Sequence, residues 1–395
     1  MDFKLSVEDE AFRKELRSWL DANLPASERR NRFSLEFMHS EAGDEWTRRV
    51  AWHKKMHAAG WVAVHWPKEC GGRGATLTQQ MIYQEELERA RGPMLVNAQG
   101  IGLVGPTLML WGTEEQRRRY MPPMLAAEEI WCQGYSEPGS GSDLASLQTR
   151  AIEDGDDFIV NGQKVWTSDA HHADMCFVLV RTDPDAPKHK GISYLLVNMH
   201  SPGITVRPLT QMTRDTGFNE VFFEDVRVPK KNVVGEKNNG WLVALTTLMY
   251  ERRYRGLDNS IGELVEMAKA ARRDGRAASE DEDVRQQIAK FACDVSALRL
   301  LNLRQLTRQL KGLPPGPESS IVKVVTTEVN LAVNTFATEL LGAYGQLELD
   351  APFAIAEGRW LYRLLASRGL TIAAGSSEIQ RNIIGERVLG LPKGG

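Results

Sequence analysis

The spacing of apolar residues changes character twice along the 395 residues of this chain, and those two changes restrict its architecture more than any other feature. Over the first third, apolar residues recur every third or fourth position, the period of one helix face. In "SVEDEAFRKELRSWLDANLP", Phe12, Leu16 and Leu20 stand four apart, Ser6 stands at the N-cap with Asp9 three residues on, and Pro25 closes the run. "DEWTRRVAWHKKMHAAG" and "TLTQQMIYQEELERARGP" predict two further helices, stopped by Gly60 and by Gly92-Pro93. After about residue 130 the pattern becomes strand-like. "MCFVLVRTD", "GISYLLVNM", "ITVRPLT" and "EVFFEDVRVP" are apolar runs bounded by turn residues. "DDFIVNGQKVWTSDA" predicts two short strands folded about Asn161-Gly162, a strong hairpin signal. From Asn239 onward the helical period returns over longer runs. Ile288, Phe291, Val295 and Leu298 lead one that reaches Leu306 and Leu310, and "PESSIVKVVTTEVNLAVNTFATELLGAYG" is another. The expected chain is α+β: an N-terminal helical domain (1–129), a middle β-barrel or sandwich (130–236) and a C-terminal four-helix bundle (237–395).

Composition removes several functions. A net charge of −3 gives no reason to expect a nucleic-acid partner, and "ARRDGR" is expected to be a solvated helix end. The most apolar run, "WLVALTTLMY", is too short to span a bilayer, and the acidic start "MDFKLSVEDE" is unlike a signal peptide, so a cytoplasmic protein without a membrane partner is expected. Cys70, Cys132, Cys176 and Cys293 show no C-x-x-C spacing and are expected to be separate, buried, reduced thiols. The eight histidines form no H-E-x-x-H, and the side chains of His171 and His172, as sequence neighbours, are expected to diverge, so no metal site is assigned. No G-x-G-x-x-G follows a strand-like run, and no G-x-x-x-x-G-K is present, so neither a Rossmann nor a P-loop site is indicated. Gly134 to Pro138 misses the nucleophile-elbow pattern at its last residue, and Ser320 to Lys323 matches S-x-x-K without supporting motifs, so Ser320 is expected to cap a helix.

What remains is a constellation. "GYSEPGSGSDLASL" (134–147) is rich in glycine and serine, whose backbone N–H groups and hydroxyls can cradle an anion. Alone it is an ordinary surface loop. Trp166-Thr167-Ser168 follows, then "LMYERRYRG", then "AAGSSEIQRNIIGERVLGLP". Singly these suit a core aromatic and an exposed helix face. In this order, with "GTEEQRRRYMPPML", "YSEPGSGSD", "NGQKVWTSDAHHAD", "LMYER" and "GSSEIQRNIIGERVLGLP" all present, the chain resembles the acyl-CoA dehydrogenase family over essentially its full length.

The resemblance implies FAD as cofactor and an acyl-CoA as substrate, with loss of an α-proton and a β-hydride giving a trans-2-enoyl-CoA. It places the backbone of Gln133, Tyr135 and Ser136 along the isoalloxazine edge, Gly141 and Ser142 at the pyrophosphate, Trp166 against the flavin and Ser168 near its N5 side. Ser376 and Glu378 of the C-terminal motif are further expected cofactor contacts, while Ser142, Arg252, Ala374 and Gly375 are expected at the substrate. Many members carry the catalytic glutamate at the position held here by Ala374, which cannot act as a base. Either the protein is inactive or the base is elsewhere. A minority, including a bacterial branch, carries it on the first long C-terminal helix before an arginine, so Glu251, followed by Arg252, is the expected base. The Ala374 N–H is expected to bind the thioester carbonyl, and Ala373 with Ala374 leaves volume for a branched or ring-bearing acyl group. The family's Arg-x-Gln-Phe-Gly is replaced by "RRDGRAASEDEDVRQQIAKF", with Arg276 as a candidate substitute, and Ala343 stands where relatives have glycine. Electron-transfer flavoprotein is the implied electron acceptor. A homodimer, a homotetramer and an α2β2 heterotetramer are all compatible with the resemblance. Two other readings stand beside the dehydrogenase: a non-catalytic partner subunit completing another chain's site, and a flavin oxidase of the same fold, which retained Glu251 disfavours.

Overall fold

The computed structural model describes residues 5–26, 29, 45–251, 258–311, 313 and 316–393. The chain forms two compact units, Met1–Glu251 and Arg252–Gly395. The first opens with five helices: α1 (Val7–Asn23), α2 (Glu45–Ala58), α3 (Leu77–Ala90), α4 (Gly105–Trp111) and α5 (Glu114–Leu125). Their ends follow local chemistry. The Ser6 hydroxyl accepts the Asp9 N–H at 3.1 Å, and Thr76 with Gln79 and Thr113 with Gln116 form reciprocal capping boxes. α3 stops one residue earlier than its glycine predicts, because Arg91 itself takes the left-handed cap at φ +56°. Phe12, Leu16 and Leu20 are buried with Trp52, Trp61 and Trp66 in the helical core.

Seven strands follow: β1 (Trp131–Gly134), β2 (Arg150–Asp154), β3 (Asp157–Ser168), β4 (Met175–Arg181), β5 (Ile192–Asn198), β6 (Ile204–Leu209) and β7 (Phe218–Pro229). They form one sheet in the order β1-β4-β2-β3-β7-β6, with β5 also paired to β4. β4 and β5 are buried on both faces, which is why they are continuous apolar runs. Phe177, Leu179, Tyr194 and Leu196 join the helical core. Cys176, Val178 and Val180 instead meet Val160, Leu195 and Val226 in a core made by the strands themselves. The expected barrel or sandwich thus takes the form of one curled sheet. Each fully buried Val or Leu contributes roughly 1.5–3 kcal/mol.

Two expectations are corrected in this sheet. Asn161-Gly162 is not a hairpin turn. β3 continues through it, with a register shift against β7 between Val160 and Gly162, and the turn lies at Gly155-Asp156, with Asp154 opposite Asp157. Gly162 is needed for a different reason: a Cβ there would stand 2.5 Å from Thr149 Oγ1 and 2.6 Å from Thr149 Cα. Asn161 is fixed across the strands by a mutual pair of hydrogen bonds with Asp225, both 3.0 Å. The cysteines also differ from expectation. Cys132 and Cys176 are register partners on β1 and β4, Cys70 is half-buried and Cys293 is exposed, so only two of the four are buried.

Helix α6 (Gly240–Glu251) ends the first unit, with Val243 and Ala244 in its core. The second unit holds α7 (Asp258–Ala270), a small hairpin of β8 (Arg272–Arg273) and β9 (Arg276–Ala277), α8 (Glu282–Leu310), α9 (Ser319–Leu340), α10 (Arg359–Ile372) and α11 (Ser377–Ile383). α9 packs against α7, α8, α10 and α11 around Leu264, Phe291, Val333 and Trp360. "ARRDGR" is therefore no helix end: Asp274 and Gly275, at φ +50° and +81°, form a tight two-residue turn. Ser320 is the second residue of α9 and is buried, so it is not the cap. No helix among the described residues is long and apolar enough to cross a membrane.

Candidate cofactor and substrate site

The site begins with a fault in the strand ladder. Lys164 pairs with Val221 and Thr167 with Asn219, so three steps on β3 face two on β7. The extra residue makes a β-bulge, which re-aims one side chain. Lys164 and Thr167 are both buried, while Trp166 between them is 59% exposed and stands edge-on to Phe218 at 6.0 Å. Its backbone lies at φ +59°, a conformation that costs a non-glycine residue roughly 1–2 kcal/mol. The surroundings hold it there: Asn219 Nδ2 donates to the Thr167 carbonyl at 3.0 Å, and the Asp169 N–H donates to the Gly217 carbonyl at 2.9 Å. Ser168, half-buried, ends β3 between these anchors. The turn that follows brings His171 and His172 to 4.2 Å between ring centroids instead of letting them diverge, and His172 stacks on Trp46 at 3.9 Å. No group of three metal-ligating side chains occurs among the described residues.

The Gly/Ser loop meets this bulge directly. The Val165 N–H donates to the Ser136 carbonyl at 2.9 Å, which puts Ser136 beside the bulge that carries Trp166. Gln133 and Ser136 are half-buried. The Tyr135 ring turns into the core against Phe177 and Tyr194, so this residue offers a ligand its backbone rather than its ring. Further along, the Ser140 hydroxyl donates to the carbonyls of Asp143 and Leu144, and Gly141 and Ser142 are exposed at the loop's crest. Asp143 pairs with Lys188 at 2.5 Å, which holds its carboxyl below the usual range.

Two residues that the sequence left unassigned are central here. Lys164 is wholly buried, and its Nζ donates to Glu137 Oε1 at 2.8 Å and to the Tyr135 carbonyl at 3.1 Å. Glu137 also accepts the N–H groups of Gln148 and Thr149, at 2.6 and 2.8 Å. Burial lowers the Lys164 pKa despite Glu137. Burial opposes ionisation of Glu137 too, but Lys164 and the surrounding donors outweigh it and hold that carboxyl below its ordinary value. Removing one partner of such a pair typically costs about 3–5 kcal/mol. The available signal was parity: Lys164 falls on the same side of β3 as the apolar Phe158 and Val160, and a lysine on that side demands a buried acceptor.

In the second unit, Ala374 and Gly375 form a turn at φ +53° and +85° between α10 and α11. Gln380 Nε2 donates to the Ala374 carbonyl at 2.9 Å and reaches the Gly375 carbonyl at 3.4 Å. Ser376 caps α11, accepting the Ile379 N–H at 3.4 Å. Glu378 is exposed, and its carboxyl lies below the usual range through its own backbone N–H and the Ser376 hydroxyl. Arg276 is exposed on the small hairpin and Ala343 is exposed in the turn after α9. Glu251 is the last residue of α6, and Arg252 lies outside the described residues.

These residues fit a flavin. An exposed indole, raised on a bulge beside a hydroxyl-bearing edge, suits a flat conjugated ring, and an exposed Gly/Ser crest suits phosphate. Helical, β and helical regions in this order, with such a face, suit a flavin-binding protein. The chain belongs to the acyl-CoA dehydrogenase family, whose cofactor is FAD. Family models match the acyl-CoA dehydrogenase N-terminal domain at 6–128, the middle domain at 132–226 and the C-terminal domain at 238–389. The chain is 40% identical over 390 residues to acyl-CoA dehydrogenase IpdE1 of Mycobacterium tuberculosis, covering 97% of this chain and 98% of that one. Among solved structures, the ChsE4-ChsE5 complex of M. tuberculosis matches with a TM-score of 0.84 at 33% identity, and the Tcur3481-Tcur3483 steroid ACAD with 0.83 at 32%; each match covers 100% of both chains.

Proposed function

We infer that this chain is an FAD-dependent acyl-CoA dehydrogenase that takes one hydrogen from the α carbon and one from the β carbon of an acyl-CoA thioester, leaving a trans-2-enoyl-CoA. The observation that carries the reading is the β3 bulge, which turns Trp166 out beside Ser136 and Ser168 in a chain of this family. FAD held there by Gln133, Tyr135, Ser136, Gly141, Ser142, Trp166 and Ser168 would supply the hydride acceptor, and the resemblance to the family makes Ser376 and Glu378 further cofactor contacts. Glu251 takes the α-proton at its carboxylate, because Ala374 has no group that could. The Ala374 N–H, on a turn whose carbonyls are drawn to Gln380, donates to the thioester oxygen where enolate charge develops. Gly375 supports that donor, and Arg252 and Ser142 contact the rest of the acyl-CoA.

The small side chains of Ala373 and Ala374 favour a bulky, ring-bearing acyl group, and a structurally similar protein named a steroid ACAD supports that choice. Electron-transfer flavoprotein is the acceptor, in the cytoplasm. The similar structures are named as pairs of different chains, which favours an α2β2 assembly over a homodimer or homotetramer. Anaerobic titration with straight, branched and polycyclic acyl-CoAs tests the reading. Wild type should lose its visible flavin band with one class, and Glu251→Gln should keep FAD but lose that response. Normal turnover by Glu251→Gln would refute the assignment of the base. The paired names also support a second reading, a subunit that completes a partner's site. A chain that purifies colourless and gains FAD only with a second chain would establish it.

A further inference from the structure

We propose that the buried Lys164–Glu137 ion pair is the positioning element of the flavin face: it aims the Ser136 N–H at the ligand. The proposal rests on the reading that Ser136 and Trp166 contact FAD. The pair ties together three stretches that are separate in sequence: the loop after β1, the approach to β2 at Gln148 and Thr149, and β3 two residues before Trp166. An ion pair this deep is a poor source of stability, because apolar side chains of equal volume serve as well. What apolar side chains cannot do is orient a carbonyl. Lys164 Nζ draws the Tyr135 carbonyl inward at 3.1 Å. A peptide is planar and trans, so the Ser136 N–H on the same peptide points the opposite way. The next peptide is fixed as well: the Ser136 carbonyl accepts from Val165 at 2.9 Å, and the Glu137 N–H is taken by the Ser140 carbonyl at 2.9 Å. The Ser136 N–H is thus a donor that the pair turns away from the core toward a ligand, next to the bulge that presents Trp166.

The test compares FAD affinity with stability. Variants are Lys164→Met/Glu137→Gln, which removes both charges together, and Glu137→Asp, which keeps the charge and shortens its reach. Glu86→Gln is the stability control, since Glu86 is an equally buried carboxylate held by Arg17 and Arg89 between helices, away from this loop. Trp166→Ala reports on the flavin face itself. FAD dissociation is followed by flavin fluorescence, the visible band by absorbance, and unfolding by calorimetry. The double variant should bind FAD about tenfold more weakly or worse, equivalent to about 1.4 kcal/mol, with a displaced visible band. Glu86→Gln should melt earlier and bind FAD as wild type does. Should the double variant not fold, Glu137→Asp must show the weaker binding. FAD affinity unchanged in the pair variants, while Trp166→Ala weakens it, overturns the positioning role alone. FAD affinity unchanged in Trp166→Ala as well overturns the flavin face and the proposal with it.

Discussion

Gly375→Ala probes the turn that is to hold the thioester. Gly375 lies at φ +85°, where an L side chain costs roughly 1–2 kcal/mol. An added Cβ would also stand 2.5 Å from Gln380 Nε2, closer than real Cβ contacts allow. Gln380 is wholly buried, so its amide has little room to retreat without releasing the Ala374 carbonyl, a hydrogen bond contributing about 0.5–1.5 kcal/mol. Together the two terms predict a loss of roughly 2–3 kcal/mol, which for a chain of 395 residues lowers the melting temperature by roughly 2–4 °C. Because Gln380 is what orients the turn, acyl-CoA turnover should fall further than stability explains when both are measured well below the melting transition. Ala374→Gly is the counterpart. It removes a Cβ from φ +53° and should leave stability within about 1 kcal/mol of wild type. The measurements are calorimetry and steady-state kinetics with the best acyl-CoA. If Gly375→Ala melts and turns over like wild type, Gln380 does not clamp this turn.

Three other perturbations test separate parts of the fold. Gly162→Ala drives a methyl into Thr149 and should cost about 2–4 kcal/mol, read as a lower urea midpoint; an unchanged midpoint would mean that the two segments separate freely. His53 is buried with Nε2 3.0 Å from the Leu125 carbonyl, and burial lowers its pKa to about 4. The unfolded chain takes up this proton near pH 6.5 and the folded chain only near 4, so stability is full above about 6.5 and falls by roughly 3 kcal/mol as pH drops through that window. His53→Gln should flatten that slope in melts run across pH, and parallel wild-type and variant curves would contradict it. Asp281 accepts the N–H groups of Asp283 and Val284, so Asp281→Ala should cost about 1 kcal/mol in a thermal melt, and no loss would show that the α8 cap is dispensable.

Much of this architecture is legible without coordinates. The α–β–α order follows from the period of the apolar residues, because a helix face and a strand face must each be buried and their repeats differ. Helix starts at Ser6, Thr76 and Thr113 are local, since a side-chain oxygen and a backbone N–H three residues away meet whatever the rest of the chain does. The absence of a carboxylate at Ala374 is equally plain from the sequence, and it moves attention to Glu251.

What the tertiary structure decided depends on segments distant in sequence. Asn161-Gly162 has the composition of a turn, yet the close approach of Thr149 claims the glycine and Asp225 claims the asparagine, so the strand continues. Trp166 could have been a core aromatic until the register of β3 against β7 raised it to the surface. Lys164 announces a buried partner, but only the sheet brings Glu137 to it. Local sterics and periodicity are written in neighbouring residues. Register, buried pairing and close approach arise from which strands meet, and their free energy belongs to contacts that exist only once the chain has closed on itself.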